Sequence, residues 1–213
     1  MKNTKKRIAL FIAGVLLVGS GVGMITKAGL GTSAITSLAY VFSMMFPPSL
    51  GNFAFLFNVC MVIAEILILF SHDRISGKGD WIRILLQIPA AILFASSIDV
   101  LIWIMRPVVF TAYWQKILFL LAGCTVFSLG AAMEVTANVI VLPAEALIKA
   151  ISEVTAKDFG TVKTIVDCSV CAVAIICSLI HFGKISGVRE GTVITALIAG
   201  SITRFFLRRL KNL

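Results

Sequence analysis

The sequence predicts an all-α membrane protein of six transmembrane helices plus two short or half-helices, built from two internal repeats. Composition is the first ground. Of 213 residues, 59% are hydrophobic and 14% charged, and the mean hydropathy is +1.03, which leaves too little polar surface for a water-soluble globule. The second ground is a set of apolar runs at residues 8–25, 53–70, 82–105, 117–133, 165–180 and 192–207, each near the ~20 residues that cross hydrocarbon as a helix. The third is a recurrence: Gly14, Gly21, Leu38, Gly51 and Asn58 return as Gly123, Gly130, Leu147, Gly160 and Asp167, always 109 positions on (123 − 14 = 167 − 58 = 109). Within a single membrane domain over residues 1–213 this predicts repeats of about 8–105 and about 117–207, an arrangement familiar in transporters.

The first run follows Lys5-Lys6-Arg7, which also fits a signal peptide. Residues 19–23 offer no Ala-x-Ala cleavage site, however, and the run has an internal counterpart at 117–133, so it reads as a retained helix. The first short segment, 32–46, opens at Ser33, a natural N-cap, and is stopped by Pro47-Pro48. Runs 53–70 and 82–105 complete the first half. In the second half, run 117–133 leads to the short segment 142–156, where Pro143 suits a first helical turn. Glu145, Lys149 and Glu153 then lie on one stripe and Leu147, Ile151 and Val154 on another, which makes an amphipathic helix ill suited to lipid on all sides. Runs 165–180 and 192–207 close the chain.

If both short segments cross the membrane, the halves run parallel. If both return to the side they entered from, each half crosses three times and the repeats are inverted. The inverted arrangement is preferred over the parallel one, because it places Arg74, Lys78 and Arg83 in the cytoplasm and spares Glu145 and Lys149 a crossing.

The formal charge of +9 raises the question of nucleic acid. Its basic residues cluster instead at the termini, Lys2 to Arg7 and Arg204 to Lys211, and in loops beside apolar runs, which the positive-inside rule explains with both termini cytoplasmic. No nucleic-acid partner is expected. Cys60, Cys124, Cys168, Cys171 and Cys177 all fall in apolar runs and read as small packing residues, so no disulfide framework is expected. Gly19-x-Gly21-x-Gly23 follows no strand and reads as a close-packing helix face. His72 and His181 lack convergent ligands, and no P-loop, H-E-x-x-H or Ser-His-Asp arrangement exists, so neither metal, cofactor nor enzymatic activity is expected.

Ionisable residues inside apolar runs cost about 2.5–3.5 kcal/mol near a helix centre, so each asks for a reason. Here they are Glu65, Asp99, Glu134 and Asp167, with Glu145 on the second short segment. The 109 offset pairs Asn58 with Asp167 and Thr36 with Glu145, and residues paired in this way converge at a repeat interface. Short helices starting at Ser33 and Pro143 would add unpaired N–H groups and a positive dipole end. Ser33, Thr36, Asn58, Glu145 and Asp167 are therefore the candidate substrate-binding residues and Glu134 the candidate proton-coupling residue, while Glu65 and Asp99 rank lower; for Asp99, as for Asp167, interface snorkelling or a local partner is the plain alternative.

Leu30-Gly-Thr-Ser33, the stretch from Gly51 to Asn58, Pro143-Ala-Glu-Ala-Leu147, and Gly191-Thr-Val-Ile-Thr-Ala-Leu-Ile-Ala-Gly200 resemble motifs of the bacterial YczE/YitT integral membrane proteins. The resemblance implies a multi-pass protein of the bacterial inner (cytoplasmic) membrane and leaves the substrate open. From the residues themselves, the leading expectation is a secondary transporter or permease of a small polar or anionic solute, working by alternating access with a coupled proton. The alternatives are the substrate-binding membrane subunit of a multi-component vitamin-type importer and a non-transporting membrane scaffold. The expected partners are the lipid bilayer and a small-molecule solute, with an oligomer compatible.

Overall fold

The computed structural model describes residues 4–75 and 77–210. Lys2 and Lys211, which the charge pattern assigns to the cytoplasm, lie outside the described residues. The elements are α1 (Thr4–Lys27), α2 (Ser37–Met45) preceded by a 3-10 turn (Ala34–Thr36), α3 (Leu50–Ser71), α4 (Lys78–Leu85), α5 (Gln87–Ile104), α6 (Tyr113–Ala137), α7 (Pro143–Thr155), α8 (Phe159–Phe182) and α9 (Glu190–Leu210). Among the described residues there is no strand. Six helices, counting α4 and α5 as one span, are long and apolar enough to cross a membrane, which makes this a multi-pass membrane protein.

The run at 82–105 is one apolar stretch in the sequence but two helices in the structure. Pro89 gives the reason. It has no N–H for the Leu85 carbonyl and its ring crowds that carbonyl, so the helix breaks at Leu86 and restarts with Gln87 at the head of α5.

Helix α1 forms the centre, packed against α6 on one side and α5 on the other. Lipid tails are as apolar as leucine, so association here rests on close approach and dispersion, which small residues permit. A Cβ on Gly21 would stand 2.5 Å from the Phe127 nitrogen, and one on Gly130 2.6 Å from the Val18 nitrogen. Likewise a Cβ on Gly14 would stand 2.9 Å from the Glu134 nitrogen, and one on Gly123 3.0 Å from the Ile25 nitrogen. Gly14 near the start of α1 thus meets the end of α6, and Gly123 near the start of α6 meets the end of α1, so the two helices run antiparallel. Val15, Val22 and Ile25 are wholly buried along this seam.

The remaining helices pack in matching pairs. α5 lies on α1 as α9 lies on α6, and α3 lies on α7 as α2 lies on α8. The contact of α3 with α5 has no comparable α8–α9 partner, and α8 is the least covered of the spans. The starts of α3 and α8 are built alike: Ser49 accepts from the Asn52 N–H at 3.1 Å, and Asp158 from the Thr161 N–H at 3.1 Å.

Candidate functional site

Two cavities meet at the short helix α7. One is a wide vestibule of about 650 Å³ at the end of the bundle holding Arg7, Arg74 and Arg83, lined in part by Glu65, Glu134 and Glu145. The other is an internal cavity of about 70 Å³ between α1, α3, α7 and α8. Among the described residues Glu145 alone lines both. Both short helices begin at the small cavity, with Ser33 and Thr36 from one and Leu142 and Ala144 from the other in its wall. They end apart: the α2 residues Val41 and Met44 lie against Gly187, near the end of α1, whereas Lys149 and Glu153 of α7 line the vestibule beside Arg7.

Four of the five expected substrate-binding residues, Ser33, Thr36, Asn58 and Glu145, come together in the wall of the small cavity. Ser33 heads the 3-10 turn but makes no side-chain cap; its hydroxyl bonds to the Thr36 hydroxyl at 2.7 Å, which in turn reaches the Thr32 hydroxyl at 3.1 Å. Thr32 continues to the Thr26 hydroxyl at 2.8 Å, giving a chain of buried hydroxyls ending at the cavity. Asn58 donates to the Ala54 carbonyl one turn back at 2.8 Å, leaving its amide oxygen for the cavity. Glu145 has neither a hydrogen-bond nor an ion-pair partner among the described residues, though Lys163 lines the same wall.

The fifth residue, Asp167, stands behind that wall. It pairs with Lys163 at 3.5 Å across one turn of α8, so Lys163 and not Asp167 reaches the cavity. Glu134 accepts the Leu142 N–H at 3.1 Å and is only 5% exposed, which ties the end of α6 to the start of α7 where the helix dipole favours an anion. Asp99 holds the opposite end of the bundle, accepting from the Ser49 hydroxyl at 2.6 Å and the Gly51 N–H at 2.8 Å. The local-partner expectation for Asp99 is met by that cap on α3.

Lys163, Thr32 and Thr192 escape sequence reasoning. Lys163 had a signal, its i, i+4 spacing to Asp167. Thr32 and Thr192 stand in two of the quoted motifs, but no pattern joins them: the Thr192 hydroxyl accepts the Thr32 N–H at 3.2 Å across 160 positions, while the Gly191 N–H bonds the Leu30 carbonyl at 2.8 Å. The loop motif Leu30-Gly-Thr and the helix start Gly191-Thr are therefore two sides of one contact. Gly31 is required there, since its φ of +117° is closed to side chains and a Cβ would stand 2.5 Å from the Thr192 hydroxyl.

Six membrane-length helices around two short helices that begin at a small, mainly apolar cavity with a few polar side chains in its wall define a polytopic α-helical membrane protein. The chain belongs to the family of unknown function DUF6198, whose model matches residues 5–208. It is also similar to an uncharacterized protein of Haemophilus influenzae, 23% identical over 209 residues that cover 98% of this chain and 86% of the other. No solved structure matches.

Proposed function

We propose that this chain is a secondary transporter or permease of a small polar solute, amphoteric or anionic with a coupled proton, working by alternating access. The single observation that carries the reading is the position of Glu145, without a hydrogen-bond or ion-pair partner among the described residues and shared between a vestibule of about 650 Å³ and an internal cavity of about 70 Å³. A cavity of that size is below the ~300–1,000 Å³ of ordinary ligand sites, so the solute enters the vestibule and the centre must widen to receive it. Two helix starts and the hydroxyls of Ser33 and Thr36 supply donors there, Lys163 a cation, and Glu145 an acceptor.

The alternation rests on two inverted repeats. The glycine contacts of α1 and α6 support this, because they pair as Gly21 to Phe127 with Gly130 to Val18, and Gly14 to Glu134 with Gly123 to Ile25. Each pair is related by the 109 offset (127 − 18 = 134 − 25 = 109) on antiparallel helices, as a two-fold axis in the membrane plane requires. In this reading α2 and α7 are re-entrant half-helices entering from opposite faces. Both termini are cytoplasmic, the membrane is a bacterial inner membrane, and the likeness to YczE/YitT proteins is one of kinship.

The test is transport by the purified chain in liposomes, screened against a broad panel of labelled metabolites under imposed proton or sodium gradients. Accumulation of one polar solute that collapses when the proton gradient is dissipated is the expected result. Movement of none, with the protein folded, removes the transporter reading.

A further inference from the structure

Glu65 lies in the last third of α3, toward the vestibule, 6% exposed, with neither Lys nor Arg bonded to it among the described residues. Its partner is Gln87, whose Nε2 donates to Glu65 Oε2 at 2.8 Å. Gln87 is 4% exposed, and its Oε1 is buried with no hydrogen-bond partner. A buried amide oxygen without a hydrogen-bond partner is costly, and a buried carboxylate left without counter-charge costs more. Both residues line the vestibule, so the site communicates with water on the Arg7 side.

We propose that the Glu65–Gln87 pair is a proton-binding site, loaded from the vestibule and sensed by Lys149 of α7. One proton on Glu65 resolves both anomalies. It removes the buried charge, and it supplies an O–H donor on the residue already bonded to the amide whose oxygen is unpaired. The charged groups around the site then give the unloaded state its consequence. From α7, Lys149 lines the vestibule with Glu65 and pairs with Glu153 at 3.8 Å, both side chains well exposed, with Glu145 one turn further back. The vestibule adds Arg7, Arg74, Asp80, Arg83 and Glu134, while α2 brings neither carboxylate nor amine and α5 brings Asp99, already engaged by Ser49 and Gly51 at the far end. When Glu65 loses its proton, Lys149 is the α7 cation drawn from Glu153 toward it. Lys149 and Glu145 lie one turn apart on α7, the helix whose Glu145 lines both cavities.

The proton site does not depend on the transport reading, because loading is measured with no solute present. Wild-type protein in liposomes is treated with dicyclohexylcarbodiimide, which reacts with carboxylic acids and not with carboxylates, and the adducts are mapped by peptide mass spectrometry as a function of pH. The expected result is an adduct on Glu65 at neutral pH, falling about tenfold for each pH unit beyond half-loading. It should be the same in sodium and in choline chloride, and persist to higher pH in Lys149→Met. A Glu65 free of adduct at neutral pH overturns the proposal, and an adduct that sodium suppresses replaces the proton with a metal cation. Infrared difference spectra between neutral and alkaline pH give an independent reading. The carboxylic C=O band lost on raising the pH must be absent from Glu65→Gln, and its persistence in that variant places the proton elsewhere.

Discussion

Glu145 is unusual among the buried and half-buried carboxylates in having no hydrogen-bond or ion-pair partner among the described residues. Glu134 accepts a backbone N–H, Asp167 pairs with Lys163, Asp99 caps α3 and Glu65 takes the amide of Gln87. A group without partners contributes little to the fold, so Glu145→Gln should leave thermal unfolding in detergent within about 0.5 kcal/mol of wild type. The same variant should change solute uptake and its pH profile. Unchanged uptake at every pH would remove Glu145 from the site. Asp99 is the opposite case. Asp99→Ala strands the Ser49 hydroxyl and the Gly51 N–H, costing about 1–3 kcal/mol, whereas Asp99→Asn keeps an oxygen for one of them and should lose less. Thermal midpoints followed by tryptophan fluorescence rank the two. At this scale the sequence marked the carboxylates by their expense in lipid but not what each one touches. Gln87 shows why: its importance depends on Glu65, 22 positions away, and on a buried oxygen that pattern alone does not reveal.

The elements follow from local rules wherever the cause is local. Pro47-Pro48 ends α2, Pro143 opens α7, and Ser49 and Asp158 start α3 and α8 with the same side-chain cap. The break at Leu86 was equally local, since Pro89 stands in the first turn of α5, yet hydropathy passes over it because proline there interrupts hydrogen bonding and not apolarity. Glycines on the α1–α6 seam serve contact rather than turns. Gly21→Leu puts a side chain where the Phe127 backbone stands, so the helices must separate at a cost of about 1–3 kcal/mol or more. Gly200→Leu, whose Cβ enters open space, should be neutral or stabilising. If both variants unfold at the same temperature, the seam is not the close contact described.

For the whole molecule the decisive feature is which way the short helices return. In a background with the five native cysteines replaced, Glu153→Cys on α7 and Lys5→Cys at the start of α1 should react with an impermeant thiol reagent from the same face, and Ser43→Cys on α2 from the other. Labelling of Glu153→Cys from the opposite face to Lys5→Cys would mean that α7 crosses the membrane, and would replace inverted repeats with parallel ones. A uniform response of all three to both faces would break the two-sided architecture altogether.

The sequence by itself determined the class of protein and the number of long helices, because the thickness of hydrocarbon sets a length and a composition that each span must meet alone. It also marked the two short helices and, with Ser33, Thr36, Asn58 and Glu145, all the polar side chains of the small cavity's wall except Lys163. The tertiary structure decided the rest. Lys163 reaches the cavity in place of Asp167, one turn along α8, while Leu30-Gly-Thr docks on Gly191-Thr and Glu65 finds Gln87 through contacts between segments distant in sequence. Apolar patterning specifies which segments leave water but says little about the rotation of one buried helix against another, since lipid and protein interior are equally apolar. Glycine contacts and a few buried hydrogen bonds set that rotation, and through it the identity of the site.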